Sequence, residues 1–275
     1  MVIIIEWLDI ILKKGEFMSY CIVVRDDIDS HLIEKNIKEK VSLEYNNENP
    51  DIVVAIGGDG TIIKATHLYP SAIIFGVHTG HLGFYANYSK DEIDLLINDI
   101  NSNSFEVEKL KKLTCEIEDF DGKVIHADAL NEITVVTPPR TLILDVSIDN
   151  EFLERFRGTG LCISTPSGST AYNKSLGGGV VDSTLDIMQL TEMAGINSNS
   201  YRTLSSPLIL ASNRRIELKS IGDVEVYITI DHLNYLINHF KSIVIYYDKK
   251  VVKMAYHNHE NFLKRIKRTF LINND

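Results

Sequence analysis

The stretch that decides the fold is Asp51-Ile-Val-Val-Ala-Ile-Gly-Gly-Asp-Gly-Thr-Ile-Ile-Lys64. It contains an apolar run, Ile52 to Ile56, that ends at two glycines. A short apolar run bounded by glycines is typical of a buried β-strand. Thr61 is a suitable N-cap for a helix that follows, so the sequence predicts a strand, a tight turn and a helix.

The glycine turn has the composition of an anion-binding loop. Glycines let the backbone approach a bulky anion, and a helix N-terminus offers free N–H groups to phosphate. Asp59 stands out, because a carboxylate beside phosphate is repelled unless it holds Mg²⁺ or takes a proton from a nucleophile. The stretch matches neither the Walker pattern nor the dinucleotide fingerprint. The alternative is an ordinary tight turn with Asp59 in solvent.

From Ser19 to about Leu110, segments typical of strands and helices alternate. The expected strands are Tyr20 to Val24, Ile52 to Ile56 and Ala72 to Val77, and the expected helices are Ser30 (as cap) to Val41, one from Thr61, and Ser89 to Ile100. This order predicts βαβ units and a parallel sheet. Ligands bind at the carboxyl ends of such strands, so the Gly57–Gly60 loop and the His78–Phe84 loop are candidates for one site.

After about Val107, apolar and polar residues alternate singly. Leu144, Val146 and Ile148 follow this pattern, as do the apolar residues from Val224 to Ile230. Such alternation predicts half-buried antiparallel strands. One helix is expected within this region, from Ser183 to Ala194.

The sequence therefore predicts two domains and a returning tail. We expect an α/β domain with a parallel sheet over residues 18–108, a β-rich domain over 109–245, and a C-terminal segment, 246–275, that returns to the first domain. The tail contains a basic amphipathic run, Asn261 to Leu271, expected to form a helix with a solvated basic face.

The composition excludes several classes of partner. Charged residues make up 24% of the 275-residue chain and hydrophobic residues 44%, the usual balance of a globular protein. The net charge of −10 argues against nucleic acid or an anionic membrane as a partner. No apolar run reaches the length of a membrane span. Three cysteines (Cys21, Cys115 and Cys162) without metal-type spacing predict a cytoplasmic protein.

The first 17 residues, MVIIIEWLDIILKKGEF, do not have the pattern of a signal peptide. Glu6 and Asp9 interrupt the apolar run, and no small-residue cleavage site follows. Met18 begins the first expected strand, and codons for Lys14-Gly-Glu16 can spell a ribosome-binding site. We expect Met18 to be the native start. The alternative is a short amphipathic helix packed on the domain or on another subunit.

Two further stretches are unusually polar for a domain interior. Asn131-Glu132 separates two apolar runs, where it is either a ligand-binding pair or part of an edge strand facing water. Arg155 to Gly179 is rich in glycine and hydroxyl groups. Ser167, with Ser169 and Thr170, offers hydroxyls, and Tyr172 could stack on a planar base. The alternative for the second stretch is a long ordered loop.

Taken together, these motifs resemble the NAD kinases, especially those of Gram-positive bacteria. The resemblance rests on Gly57-Gly-Asp-Gly-Thr61, Asn131-Glu132 and Thr165-Pro-Ser-Gly-Ser-Thr-Ala-Tyr172, together with His78-Thr-Gly-His-Leu-Gly-Phe-Tyr85 and Ile230-Asp-His232. It covers roughly Ser19 to His232. Gly-Gly-Asp-Gly-Thr also occurs in related lipid kinases, where the other elements do not follow it.

The resemblance implies transfer of the ATP γ-phosphoryl group to the adenosine-ribose 2′-hydroxyl of NAD, with Mg²⁺, in a homodimer or homotetramer. It implies that Asp59 is the general base, that Gly60 and Lys64 bind ligand, and that Asn131 and Glu132 hold sugar and base groups. The adenine side would be lined by Thr170, Ala171, Tyr172 and Ser175, and further ligand-binding residues would be Ser167, Asn173 and Lys174. The pocket would be completed by Arg157, Ala194 and His232, in some cases from a neighbouring subunit, and Thr159 is a further expected ligand-binding position. No residue is assigned as a metal ligand.

Three departures from the family pattern affect these expectations. Arg157-Gly-Thr159-Gly160 stands where the family has Arg-Gly-Asp-Gly, and Asp182-Ser183 stands where His-Pro usually follows the glycines. His257-Asn-His-Glu-Asn261 replaces an aromatic- and arginine-rich tail. Altered NAD binding is therefore expected more than lost chemistry. The alternatives are a catalytically silent NAD(P)-binding sensor and, less in keeping with the motifs, a lipid kinase.

Overall fold

The computed structural model describes residues 18–80, 83–137, 140–222, 224–258 and 262–271. The chain divides into two compact units. The first comprises the residues up to Lys109 together with those from Val252 onward, and the second is Leu110–Val251. The expected extension, residues 1–17, lies outside the described residues. Within the described ranges, no helix is long and apolar enough to cross a membrane.

The first unit is an α/β structure, as expected. Its elements in chain order are β1 (Ser19–Val24), α1 (Ile28–Lys40), β2 (Glu44–Tyr45), β3 (Ile52–Gly57), α2 (Asp59–Leu68), β4 (Ile73–His78), β5 (Tyr88–Ser89), a 3₁₀ turn (Lys90–Glu92) and α3 (Ile93–Ser102). The sheet is parallel in the order β2-β1-β3-β4. β5 also pairs with β4, and so do residues 253 and 254 of the tail.

The central strand of this sheet is β3, and it explains the fold of the unit. Every residue from Ile52 to Gly57 is buried, which is why the run is continuously apolar rather than alternating. Its side chains pack with those of β1, β4, α1 and α3 in one core. The strand therefore delivers the glycine turn to the carboxyl edge of a rigid parallel sheet.

Two helix starts differ from the expected ones. α1 begins after Asp27, whose carboxylate accepts the N–H of Ser30, so Ser30 lies inside the first turn and is not the cap. α2 begins at Asp59 after an extended Gly58, so Thr61 is not its cap. The N–H of Thr61 instead donates to the Gly58 carbonyl at 2.9 Å. The glycine turn is thus shorter than expected, and Asp59 is the first residue of the helix.

The second unit is formed by antiparallel strands, as expected. Its elements are β6 (Glu106–Glu118), β7 (Val124–Ala129), β8 (Glu132–Val136), β9 (Leu142–Ile148), β10 (Glu151–Gly158), β11 (Gly160–Ser164), a 3₁₀ turn (Ser167–Thr170), α4 (Tyr172–Ser175), β12 (Ile187–Met193), β13 (Leu208–Ala211), β14 (Ile216–Ser220), β15 (Val226–Ile230), β16 (Leu233–Ile237) and β17 (Ser242–Tyr256). The first residues of β6 and the last of β17 belong to the first unit.

Two groups of strands enclose the core of the second unit. One runs β10-β9-β14-β17, with β6 pairing to β17 and β7 to β6. The other is a six-stranded sheet in the order β13-β12-β11-β8-β15-β16. The alternating apolar residues of both groups meet in one cluster that includes Leu144, Val146, Ile228 and Ile230. The period-2 pattern is therefore the inward-facing half of each strand.

One expected helix and two of the alternatives for the polar stretches are wrong. The segment expected as a helix from Ser183 to Ala194 contains strand β12, and Asp182 bonds the N–H and hydroxyl of Thr184 ahead of it. Glu132 begins β8, which lies between β11 and β15, so Asn131-Glu132 is not part of an edge strand. The stretch from Arg155 to Gly179 is not one long loop, because it contains the second half of β10 and all of β11 and α4.

The tail is helical over residues 262–271, but not as one regular α-helix. α5 (Phe262–Ile266) is followed by a π-helical turn over Lys267–Leu271, while Asn261 lies outside the described residues. The basic face is not wholly solvated, because the Arg265 side chain is only 4% exposed.

Candidate active site

Asp59 lies at the carboxyl end of β3 and opens α2. Its carboxylate is held by the chain that follows β4: the Phe84 N–H donates to Oδ2 at 2.7 Å and the Tyr85 N–H donates to Oδ1 at 3.0 Å. Phe84 and Tyr85 are both buried. The structure thus brings the last part of the His78–Phe84 loop to the glycine turn, in agreement with their expected placement at neighbouring strand ends. His81 and Leu82 lie outside the described residues.

Two glycines make this arrangement possible. At Gly83, a Cβ atom would lie 2.1 Å from Oδ1 of Asp59, so any larger residue would displace the carboxylate or the loop. Gly57 has φ +156°, and a Cβ there would meet the Thr61 hydroxyl at 2.4 Å. The other expected ligand-binding residues of this unit, Gly60 and Lys64, are exposed on the first turns of α2.

In the second unit, Asn131 and Glu132 are fixed by a turn between two other strands. Asp231 and His232 form the two-residue turn that joins β15 to β16, and Asp231 has φ +53°. The Asp231 carboxylate accepts the N–H groups of Leu130 and Asn131, both at 2.7 Å. Asp231 also donates its own N–H to the Glu132 carbonyl. Asn131, directly before β8, is buried, whereas His232, on the turn with Asp231, is exposed.

The hydroxyl-rich loop after β11 packs directly on this corner. The Thr165 hydroxyl donates to the Leu130 carbonyl at 2.7 Å, and the Thr165 N–H donates to the Asn131 carbonyl. At Gly168 a Cβ would lie 2.0 Å from the Asn131 oxygen, so only glycine fits. The Ser167 hydroxyl lies 3.0 Å from that of Thr165 and is buried, so it serves this packing. The polar composition of the stretch is thus partly structural.

Beyond this packing, the loop presents a short polar face. Thr170 and Ala171 are partly exposed, and Tyr172, Lys174 and Ser175 are exposed. Asn173 differs from them: it is fully buried and accepts the Thr191 hydroxyl at 2.7 Å, and its amide nitrogen has no hydrogen-bond partner within the described ranges. Asn173 therefore anchors α4 to β12 from inside the protein.

Glu132 has the most strongly perturbed carboxyl group of this corner. Burial raises its pKa to about 8, the negative charge of Asp231 adds to that rise, and the Tyr172 N–H opposes it by donating to the carboxyl group. Its Oε2 atom is buried and has no hydrogen-bond partner among the described residues. A neutral buried carboxyl group can donate a hydrogen bond as well as accept one, so Glu132 can hydrogen-bond to either an acceptor or a donor on a ligand.

The remaining expected residues, Arg157, Thr159 and Ala194, form a second cluster in this unit. Gly160 and Ser164 are the two ends of β11; Ser164 pairs with Glu132, whereas Gly160 pairs with Met193, next to Ala194. The clusters are therefore separated by the length of that strand, roughly 13 Å at about 3.3 Å per residue. The cluster near the Ser164 end of β11 contains Asn131, Glu132, His232 and the residues from Ser167 to Ser175. The cluster near the Gly160 end contains Arg157, Thr159 and Ala194.

A loop for which the sequence predicted no role contacts this second cluster. The Arg157 guanidinium lies 4.0 Å from the centre of the Tyr201 ring, a cation–π contact. The loop carrying Tyr201 is tied to Glu192, which accepts the Thr203 hydroxyl at 2.6 Å and the Ser205 N–H at 3.1 Å. Thr159 is exposed beside Arg157, with its backbone bonded to Thr137 and Met193.

Two residues of these clusters have roles that the sequence did not predict: Asp231, which was part of a quoted motif but had no assigned role, and Tyr201. For Asp231 a signal was available, since an aspartate between two alternating apolar runs is typical of a two-residue hairpin turn. Tyr201 lies in a polar stretch, Asn197 to Ser206, without a periodic pattern, and nothing in it indicated a contact with Arg157.

Comparison with known proteins gives a consistent result. The family model of the ATP-NAD kinase N-terminal domain matches residues 12–105, and that of the C-terminal domain matches residues 130–253. The NAD kinase of Geobacillus stearothermophilus is 40% identical over 253 residues, which cover 90% of this chain and 93% of that protein. The NAD kinase of Staphylococcus carnosus is 38% identical over 263 residues, 92% of this chain and 98% of that protein.

Solved structures share the fold. Yeast NADH kinase in complex with NADH superposes with a TM-score of 0.81 at 19% identity, covering 95% of this chain and 89% of the yeast chain. An NAD kinase from Archaeoglobus fulgidus in complex with ATP gives a TM-score of 0.72 at 24% identity, covering 91% of this chain and 99% of the other. On the extent and identity of the sequence matches, this chain belongs to the NAD kinase family.

Proposed function

We propose that the protein is an ATP-dependent NAD kinase, which transfers the γ-phosphoryl group of ATP to the 2′-hydroxyl of the adenosine ribose of NAD. The observation that carries the proposal is the Asp59 carboxylate, held by two backbone N–H groups beside a glycine turn in a chain of this family. Phosphoryl transfer needs mainly positioning, charge neutralisation and one oriented base. Asp59 supplies that base in our proposal.

The geometry of Asp59 suits this role. Each carboxylate oxygen accepts one N–H, from Phe84 or Tyr85, which fixes the plane of the group. A carboxylate oxygen has two lone pairs, so each still has one with which to accept a hydroxyl proton. Asp59 would hydrogen-bond the 2′-hydroxyl, hold it in line with the phosphoryl group and take its proton as the new O–P bond forms.

The dinucleotide would be recognised in the second unit. Asn131 and Glu132 would bind its sugar and base groups through an amide and a neutral carboxyl group. The exposed Tyr172 ring would stack on adenine, with Thr170, Ala171, Lys174 and Ser175 beside it. Asn173 and Ser167 would act indirectly by holding this segment, because both side chains are buried in packing contacts.

We further propose a homodimer or homotetramer in which one protomer completes the site of another. Arg157, Thr159 and Ala194 lie at the opposite end of β11 from Glu132, and a second copy could present this end to a dinucleotide bound by the first. His232, exposed on its turn, would contribute in the same way. This arrangement would supply local positive charge in a chain whose net charge is −10.

Mg²⁺ fits the chemistry as an ion that arrives with ATP. It is commonly bound by one or two carboxylates plus substrate phosphates rather than by an all-protein cage. Asp59, beside the glycine turn, is the carboxylate present for such contact. When bound, the ion would neutralise phosphate charge.

The three described cysteines are buried free thiols, which supports a cytoplasmic location in our proposal.

One observation favours a second candidate, a silent NAD(P)-binding sensor. Thr159 replaces a carboxylate that the family pattern has at this position, and this change could alter binding. Tight NAD binding measured by calorimetry, without turnover, would support the sensor.

The decisive assay uses purified protein with ATP, Mg²⁺ and NAD, and detects NADP enzymatically. We expect NADP to form in proportion to enzyme and time. Parallel reactions replace ATP by polyphosphate, Mg²⁺ by other divalent metals, and NAD by NADH, diacylglycerol or sphingosine. The proposal is wrong if no pyridine nucleotide is phosphorylated under any of these conditions, and phosphorylation of a lipid would point to the lipid kinases instead.

A further inference from the structure

The position of Asp59 depends on residues outside its own helix. Both hydrogen bonds to its carboxylate come from the backbone of Phe84 and Tyr85. These bonds hold the group only while the backbone of this loop is fixed. The side chains that pack around Phe84 therefore determine how firmly the proposed base is held.

The C-terminal segment packs on Phe84, within the same unit. The Phe262 ring contacts the Phe84 ring edge-on at 6.3 Å between centroids. The Arg265 guanidinium lies 5.4 Å from the centre of the Phe84 ring, the geometry of a cation–π contact. Phe84 itself is 5% exposed, so these contacts enclose it.

Arg265 is in turn fixed from its other side. Its guanidinium lies 5.5 Å from the centre of the Tyr256 ring, and the Tyr256 hydroxyl donates to Glu108 at 2.5 Å. Arg265 is 4% exposed, and its Nε atom has no hydrogen-bond partner in the described part of the chain. A buried donor without a partner costs stability, so the presence of this arginine calls for an explanation other than stability alone.

We propose that Arg265 is a positioning residue for Asp59: its guanidinium contacts both the Tyr256 ring of β17 and the Phe84 ring, and by packing on Phe84 it holds the backbone N–H that orients the carboxylate. This inference rests on the proposed function, because it assigns Arg265 a part in the same phosphoryl transfer. In this proposal, Arg265 acts without contacting the Asp59 carboxylate or the substrate. Its effect reaches the reaction through Phe84 alone.

The test begins with Arg265→Met, which keeps an unbranched apolar stem and removes the guanidinium. We expect kcat to fall roughly ten- to a hundred-fold, since small displacements of a catalytic group have effects of that size. The calorimetric Kd for NAD should change little. Arg265→Lys keeps a cation near the Phe84 ring and should restore part of kcat. Lys264→Met, on the exposed neighbour of Arg265, is the control and should leave kcat unchanged.

A second measurement separates positioning from general damage to the fold. In an Asp59→Asn background there is no base to position, so adding Arg265→Met should lower the residual rate little further. Equal losses in both backgrounds would overturn the inference, as would an Arg265→Met enzyme with normal kcat. If Asp59→Asn itself keeps most of kcat, the base assignment fails and the inference falls with it. Circular dichroism and Tm of each variant confirm that folded protein is compared.

Discussion

The carboxyl group of Glu132 accepts the backbone N–H of Tyr172, which joins the start of β8 to the start of α4. Its second oxygen, Oε2, is buried without a partner in the described ranges. Burial and the charge of Asp231 together raise the pKa to about 8, so the group is mostly neutral at pH 7. The corner that we propose for dinucleotide binding is therefore less negative than its two acidic residues suggest.

This raised pKa predicts how stability changes with pH. Between 4.5 and about 8 the folded protein keeps a proton on Glu132 that the unfolded chain has lost. More protons are then bound in the folded state, so this contribution to the free energy of unfolding decreases as pH rises through the window. Glu132→Gln mimics the neutral form and removes that dependence. Its stability relative to the parent protein should grow by roughly a few kcal/mol between pH 5 and 8.5.

Urea unfolding of both proteins at several pH values measures this difference. Asp145→Asn is a control for the same acid-to-amide change at a carboxylate bonded to Arg155, away from the Glu132 corner. Parallel stability curves for Glu132→Gln and the parent protein between pH 5 and 8.5 would show that Glu132 is ionised in the folded state.

Asn173 is expected to act by packing and not by touching the ligand. Asn173→Ala leaves the buried Thr191 hydroxyl without its acceptor, which should cost about 1–3 kcal/mol and lower Tm by a few degrees. NAD binding should weaken because α4 loses its anchor. Thr191→Val tests the pair: the double variant should lose less stability than the sum of the two single losses. Strict additivity, with NAD affinity unchanged, would contradict this role.

Thr159 is the site at which this chain departs from the family pattern. Thr159→Asp places a carboxylate beside Arg157, where it can orient the guanidinium or accept a substrate hydrogen bond. We expect the Kd for NAD to fall about ten-fold, the equivalent of about 1.4 kcal/mol. Calorimetry measures this Kd directly. The control is Thr159→Asn, because asparagine is similar in size to aspartate but carries no charge. An unchanged or higher Kd in Thr159→Asp would indicate that the site has adapted to threonine.

The sequence predicted those features that depend on local pattern. The buried run from Ile52 to Ile56 and its glycines placed Asp59 at a strand end, because a continuous apolar run with helices on either side is what a parallel sheet requires. Alternation around Leu144 and Val226 likewise predicted antiparallel strands. The order of the motifs along the chain indicated that the α/β region and the β-rich region belong to one family.

Features that depend on distant partners were not predictable in this way. β12 was mistaken for a helix because its middle residues, Met188 to Thr191, are all buried in an interior strand, so apolar and polar residues do not alternate cleanly. Glu132 sits in the centre of a sheet, where the local backbone is bonded by the turn at Asp231, about 100 residues later, and by Thr165 of the loop after β11. The contact between Arg265 and Phe84 joins residues 181 positions apart in the chain, so no local sequence pattern could predict it.

The proposed role of Asp59 as the general base is tested by comparing turnover and NAD binding in Asp59→Asn. The variant keeps the size of the side chain and one oxygen, but it cannot take the 2′-hydroxyl proton. We predict that kcat for NADP formation falls by about 10² to 10⁴, the usual contribution of a general base, while the calorimetric Kd for NAD stays close to that of the parent protein. A variant that keeps more than roughly a third of kcat would contradict the assignment of Asp59 as the base.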